Sequence, residues 1–188
     1  VPSFAQQGAV PTGLSPDGGT TFLQVGRLLA DPATGRVLTD KTVVISGGRV
    51  VEIRDDFVGE GRVIDLRDAF VLPGLIDSHV HPVFGDWTPR QNQLNWIDSS
   101  MHGGVTTMIS AGEVHLPGRP RDPKGVTALA ITAQRAFSAF PIGGVKVHAG
   151  APILEKGMEE EDFKYMAENG VKLLGEVGLG TVKAGDEA

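Results

Sequence analysis

The feature that most constrains the fold is a series of short apolar runs, each separated from the next by a helical pattern. The runs are "VLPGLIDSHVH", "GVTTMISAG", "GVKVHAGA" and "VKLLGEVGLG", and the first begins at Val71. Their length and continuous hydrophobicity are typical of strands buried on both faces of a parallel sheet. Four β/α units of about 30 residues each are half of an eight-stranded barrel, which typically takes about 250 residues. The sequence therefore predicts an α/β fold, the N-terminal half of a (β/α)8 barrel.

Helices are predicted between these strands from the spacing of their apolar residues. One stripe runs from Leu94 to Met101, a second from Val126 to Phe137 and a third from Phe163 to Ala167. Glycine follows the first stripe at Gly103 and the third at Gly170, as is common where helices end.

The segment before the barrel has a different pattern. From Thr20 to about Val71, β-branched and apolar residues alternate with polar ones, which predicts a small antiparallel sheet. Gly47-Gly48 lies between two such runs and predicts a two-residue hairpin turn. We therefore expect a flexible N-terminal arm at residues 1–19, part of a small β-sandwich domain at 20–71, and the first half of the barrel at 72–188.

Composition narrows the functional classes. The net charge of −6 argues against nucleic acid or an anionic membrane as the main partner, and no apolar run reaches the length of a membrane helix. Because there is no cysteine, any metal ion must be bound by histidine and carboxylate. Ser3-Phe4-Ala5 has the form of a signal-peptide cleavage site, which leaves an exported or periplasmic location and a cytoplasmic one equally open.

The stretch "LIDSHVHP" places two histidines at the end of the first barrel strand. Side chains alternate along a strand, so Asp77, His79 and His81 share one face. Two imidazoles about 6–7 Å apart can bind one metal ion, whereas the simpler interpretation is a pair of polar residues at a solvated strand end. The spacing alone leaves both open. His102 precedes a glycine at the end of a helical pattern and is predicted to be structural.

Other candidates lie where the later strands end, the edge of a barrel that carries chemistry. Glu176 lies in an otherwise apolar run and should be ion-paired or bound to metal. His115 and His148 either contact substrate or are structural. Arg119 is either a solvated loop side chain or the anchor for an anionic substrate group. Asp77 either orients a metal-binding histidine or accepts hydrogen bonds from nearby backbone amides.

The motif "VLPGLIDSHVHP" after a small β domain resembles the amidohydrolase superfamily, whose members are metal-dependent hydrolases on a (β/α)8 barrel. The stretches "HGGVTTMISAG", "GVKVHAGAPILEKG" and "GEVGLGTVK" are most similar to its enamidase-type members, which open a cyclic enamide ring. The resemblance implies that His79 and His81 bind one metal ion. It also implies that Glu176 bridges two, in place of the carboxylated lysine of most members. Two divalent ions, zinc or iron, are expected.

The superfamily also needs residues that this sequence does not contain. Two histidines from strands five and six and the general-base aspartate from strand eight would follow Ala188. We therefore expect no catalytic acid or base in this chain. The C-terminal half of the barrel is expected as a second chain or a further segment. The other partners expected are a small-molecule substrate and further copies in a homo-oligomer.

The function that the resemblance implies is hydrolysis of a C–N bond, of a cyclic amide in particular, by a metal-bridging hydroxide. One alternative keeps the metal site and changes the substrate to an acyclic amide, a peptide-like amide, a carbamate or an ester, because substrate does not follow from fold. Another alternative is a barrel scaffold without catalysis. The presence of His79, His81 and Glu176 counts against the scaffold.

Overall fold

The computed structural model describes residues 19–57, 59, 61–82, 93–112, 116, 118–139, 142–183, 185 and 186. These residues form two compact units, one before Gly74 and one from Gly74 onward. Nearly all of the predicted N-terminal arm lies outside the described residues. No helix in the described part of the chain is long and apolar enough to cross a membrane.

The first unit is a four-stranded sheet in the order β3-β2-β1-β4. Its strands are β1 (Thr21–Asp31), β2 (Arg36–Ser46), β3 (Arg49–Arg54) and β4 (Arg62–Val71). The turn between β2 and β3 is the predicted hairpin at Gly47-Gly48. These two glycines have φ values of 57° and 73°. Positive φ at both central residues is what a type I′ hairpin turn requires.

The prediction of a wholly antiparallel sheet is wrong at one edge. β1–β2 and β2–β3 are antiparallel, but β4 pairs with β1 in parallel. A second hairpin would have placed β4 beside β3, whereas the chain passes to the free edge of β1. There, Leu66 and Val71 of β4 pack against the buried side chains of Val25, Leu28 and Val43.

The second unit alternates strands and helices, as predicted. Its elements are β5 (Leu75–Val80), α1 (Gln93–His102), β6 (Val105–Ser110), α2 (Pro123–Ala139), a 3-10 turn (Ile142–Gly144), β7 (Lys146–His148) and α3 (Glu160–Glu168). The three strands form a parallel sheet in the order β5-β6-β7. All three predicted helices are confirmed. Ile97 of α1, Met108 of β6, Ala133 of α2 and Val145 are fully buried in one core.

The fourth predicted barrel strand is wrong, because residues 171–183 form no strand. This segment makes isolated backbone hydrogen bonds instead of a ladder. The Gly175 amide donates to the Pro152 carbonyl at 2.9 Å, and the Glu176 amide donates to the Ala111 carbonyl at 2.8 Å. The two acceptors lie on separate segments, one following β7 and the other following β6, so no single neighbouring strand is presented for pairing. The second unit is thus an α/β fold with three parallel strands in its described part.

Candidate metal centre

A buried valine at the end of β5 directs the two histidines of the motif. Val80 is 4% exposed and packs in the core with Met108 and Val147. Since neighbouring side chains alternate, His79 and His81 project to the other side. Their ring centroids lie 5.2 Å apart, edge to face. The predicted shared face is therefore present, although His81 lies one residue beyond the strand.

Glu176 meets both histidines. Its Oε1 lies 3.2 Å from Nε2 of His79, and its Oε2 lies 3.2 Å from Nε2 of His81. One ligand atom from each of the three side chains lies within 4.8 Å of the others, a spacing that could hold a metal ion. The hydrogen bond from the Glu176 amide to the Ala111 carbonyl places the carboxylate beside the end of β6. Residues almost a hundred positions apart in sequence thus form one cluster, which we call the His-His-Glu cluster.

The chemistry of the donor set fits a divalent cation. Nδ1 of His81 lies 2.9 Å from the carbonyl oxygen of Gly112. A carbonyl only accepts, so Nδ1 carries the hydrogen of this contact, and Nε2 is the ring atom that faces the Glu176 carboxylate. Nε2 and the carboxylate oxygen, 3.2 Å apart, are close enough to bind the same cation. A histidine fixed in this way by a backbone carbonyl is the usual form of a metal ligand.

The other predicted site residues are placed differently. Oδ1 of Asp77 accepts a hydrogen bond from the His79 amide at 3.2 Å, so Asp77 contacts the backbone of that histidine. His148 ends β7 and is exposed, and no hydrogen bond or ion pair between described residues joins it to the His-His-Glu cluster. His115 lies outside the described residues. The substrate-binding roles of His115 and His148 stay predictions.

Arg119 is not the solvated side chain that its loop context allowed. Its Nη1 donates to Oε1 of Glu155 at 3.0 Å, and the two side chains are 9% and 0% exposed. Its Nη2 donates to the Leu179 carbonyl at 3.4 Å. The guanidinium thus already has two protein partners, and its role as a substrate anchor stays a prediction.

Glu155 is ionised in spite of its burial. Burial raises the pKa of its carboxyl, but the hydrogen bonds from Thr181 and Arg119 outweigh this effect and hold the pKa below its ordinary value. The Thr181 amide donates to Oε2 at 2.8 Å, so each carboxylate oxygen has its own donor. A buried carboxylate therefore has an arginine as its counter-charge.

Sequence reasoning missed two contributors to this region. The Gly112 carbonyl orients His81, and a backbone acceptor has no side-chain signature in a sequence. Glu155 lies in "PILEKG", where an acidic residue before lysine and glycine is typical of a solvated turn. Its apolar neighbours on the N-terminal side were the available signal. The predicted place of His102 at the end of a helix is confirmed, since it ends α1 and its Nδ1 lies 2.8 Å from the Asp98 carbonyl.

No protein-family model matches the sequence. Among curated proteins, the enamidase of Eubacterium barkeri is 44% identical over 173 residues, which are 90% of this chain and 45% of that protein. The chain thus spans just under half the length of this relative.

Solved structures give the same relationship. The crystal structure of enamidase, described as a member of the amidohydrolase superfamily, matches with a TM-score of 0.78 at 44% identity, over 88% of this chain and 44% of that chain. A Xaa-Pro dipeptidase matches with a TM-score of 0.50 at 18% identity, over 81% of this chain and 45% of that chain, and supports the fold alone. The chain is therefore an enamidase homologue whose fold matches that of a member of the amidohydrolase superfamily.

Proposed function

We propose that this chain supplies one part of the active site of a binuclear metal-dependent amidohydrolase, and that the hydrolysed bond is the C–N bond of a cyclic amide. The observation that carries the proposal is the convergence of His79, His81 and Glu176 within 4.8 Å in a chain 44% identical to enamidase. An enamide is an amide whose nitrogen bears a vinyl group, so a cyclic enamide is the substrate class that this relationship favours.

Each residue of the cluster has a distinct task in this proposal. His79 and His81 would bind an ion through Nε2, and the tautomer of His81 is set by the Gly112 carbonyl. Glu176 would bind the same ion through one carboxylate oxygen, which leaves its other oxygen for a second ion. Nitrogen and oxygen ligands suit zinc or iron. Divalent ions bound there would lower the pKa of water towards about 7 and polarise the scissile carbonyl.

We propose that the general base and the other metal ligands come from the C-terminal half of the barrel, as a second chain or a further segment. Such a base would also return a proton to the leaving nitrogen, since this bond cannot break readily without protonation of the amine. We further propose that the complete enzyme is a homo-oligomer acting on a small molecule.

Replacement of His79 tests the proposal directly. In the complete protein, His79→Ala should lose bound zinc or iron. The rate of cyclic enamide hydrolysis should fall at least about 100-fold, because metal-dependent activation of water is lost with the ligand. Metal content is measured by plasma mass spectrometry, and ring opening by the loss of enamide absorbance.

The matched control is His102→Ala. His102 is also exposed, and it contacts a carbonyl within its own helix, remote in sequence from the His-His-Glu cluster. This variant should keep both metal and activity. Full activity and full metal content in His79→Ala would contradict the proposed function.

A further inference from the structure

We infer that the buried ion pair between Arg119 and Glu155 is a positioning device that holds the metal ligand Glu176 in place. The inference rests on the proposed function, because it assigns a role towards the same metal site. In this inference Arg119 contacts the segment that carries Glu176, whereas its sequence context had suggested contact with substrate.

The ion pair lies where three segments of the second unit meet. Arg119 belongs to the connection after β6, and Glu155 to the connection after β7. The third segment is residues 178–183, which we call the anchor loop and which begins two positions after Glu176. The guanidinium reaches it through the Leu179 carbonyl, and the carboxylate reaches it through the Thr181 amide.

The anchor loop is fixed by further contacts of the same kind. The Lys156 amide donates to Oγ1 of Thr181 at 2.6 Å, so the residue next to Glu155 also holds the loop. The backbone at Gly180 approaches the Leu154 carbonyl so closely that an added Cβ would lie 2.0 Å from its oxygen. Nζ of Lys183 donates to the carbonyls of Gly178 and Gly180 at 3.0 and 2.9 Å. The loop therefore has one defined path past the ion pair.

Glu176 is held from both sides as a result. Its own amide is bound to the Ala111 carbonyl, and the chain that follows it is bound to Arg119 and Glu155. A buried ion pair adds little net stability compared with packed apolar residues, so stability alone is a weak reason for placing one here. The Arg119–Glu155 pair instead has a function if it fixes the backbone that carries the metal ligand Glu176.

The test is a double variant, Arg119→Met with Glu155→Met, in the complete protein. Replacing both charges by apolar side chains of similar length leaves no unpaired buried charge, so the fold should be retained and is checked by circular dichroism. The zinc dissociation constant, measured by competition with a chelator, should rise about 10- to 100-fold, as for other groups that orient metal ligands. The cobalt-substituted protein should show a shifted visible absorption band.

The control is Arg135→Met, because Arg135 makes an exposed contact with Asn169 through Nη2. It should leave zinc affinity and the cobalt spectrum unchanged. A folded double variant with unchanged zinc affinity and a raised KM would overturn the inference and make Arg119 a substrate anchor. Absence of zinc binding in the wild type would instead reject the proposed function, so the two failures are distinguishable.

Discussion

At the scale of single residues, the alternation of side chains along a strand correctly predicted that His79 and His81 share a face. It did so because the residue between them, Val80, is buried in the core. The contacts that complete the site were not predictable. The Gly112 carbonyl and the buried Glu155 act through positions fixed by distant segments. A backbone carbonyl has no side-chain signature, and the local signal at Glu155 was limited to its apolar neighbours on the N-terminal side. The sequence thus predicted which side chains come together better than it predicted the contacts that hold them.

Gly112 provides a test at this scale. Its φ is +130°, and an added Cβ would lie 2.2 Å from Cδ1 of Ile153, which is itself buried. Gly112→Ala should therefore add a crowding cost of about 1–3 kcal/mol to the cost of the unfavourable φ. It should also weaken zinc binding, because the carbonyl that orients His81 is displaced. Urea unfolding and chelator competition measure the two effects.

Gly118→Ala is the matched control for this prediction. Gly118 also has a positive φ, of +70°, but nothing lies within 4 Å of an added Cβ. Its cost should be limited to about 1–2 kcal/mol of backbone strain, with zinc affinity unchanged. Equal unfolding free energies and equal zinc affinities in the two variants would show that Gly112 has no special role.

At the scale of elements, periodicity predicted the helices well and the strand pairing poorly. The apolar stripe of α2 is buried at Val126, Ala130 and Ala133, as its spacing indicates. The run that begins at Val171 has the composition of a strand, yet forms none. Composition describes how a segment buries its side chains, whereas pairing depends on which distant backbone lies beside it. The parallel pairing of β4 with β1 escaped prediction for the same reason.

The anchor loop should respond to acid through Glu155. The pKa of this carboxyl lies below its ordinary value of 4.5 in the folded protein, so the ionised form stabilises the fold above about pH 4.5. This contribution is lost as the pH falls through the lowered pKa. The unfolding free energy of the wild type should therefore drop more steeply below pH 4.5 than that of the Arg119→Met, Glu155→Met variant. Urea unfolding of both proteins across this pH range measures the difference, and parallel pH profiles of the two unfolding free energies would contradict the prediction.

At the scale of the whole molecule, the described part of the second unit supplies a sheet of three parallel strands and one cluster of possible metal ligands. β5 and β7 form the two edges of this sheet, each with a single neighbour. The α/β class was predictable from the alternation of apolar runs and helical patterns, and the relationship to enamidase from stretches such as "GVKVHAGAPILEKG" and "GEVGLGTVK". Closure of an eight-stranded barrel stays a prediction, because it depends on strands that the described residues do not contain.

The most direct measurement is anomalous X-ray scattering at the zinc and iron edges from crystals of the complete protein. We expect a peak at one or both edges within about 2.0–2.2 Å of Nε2 of His79, Nε2 of His81 and a carboxylate oxygen of Glu176. A well-ordered His-His-Glu cluster without an anomalous peak, in protein that catalyses amide hydrolysis, would contradict the proposed metal site.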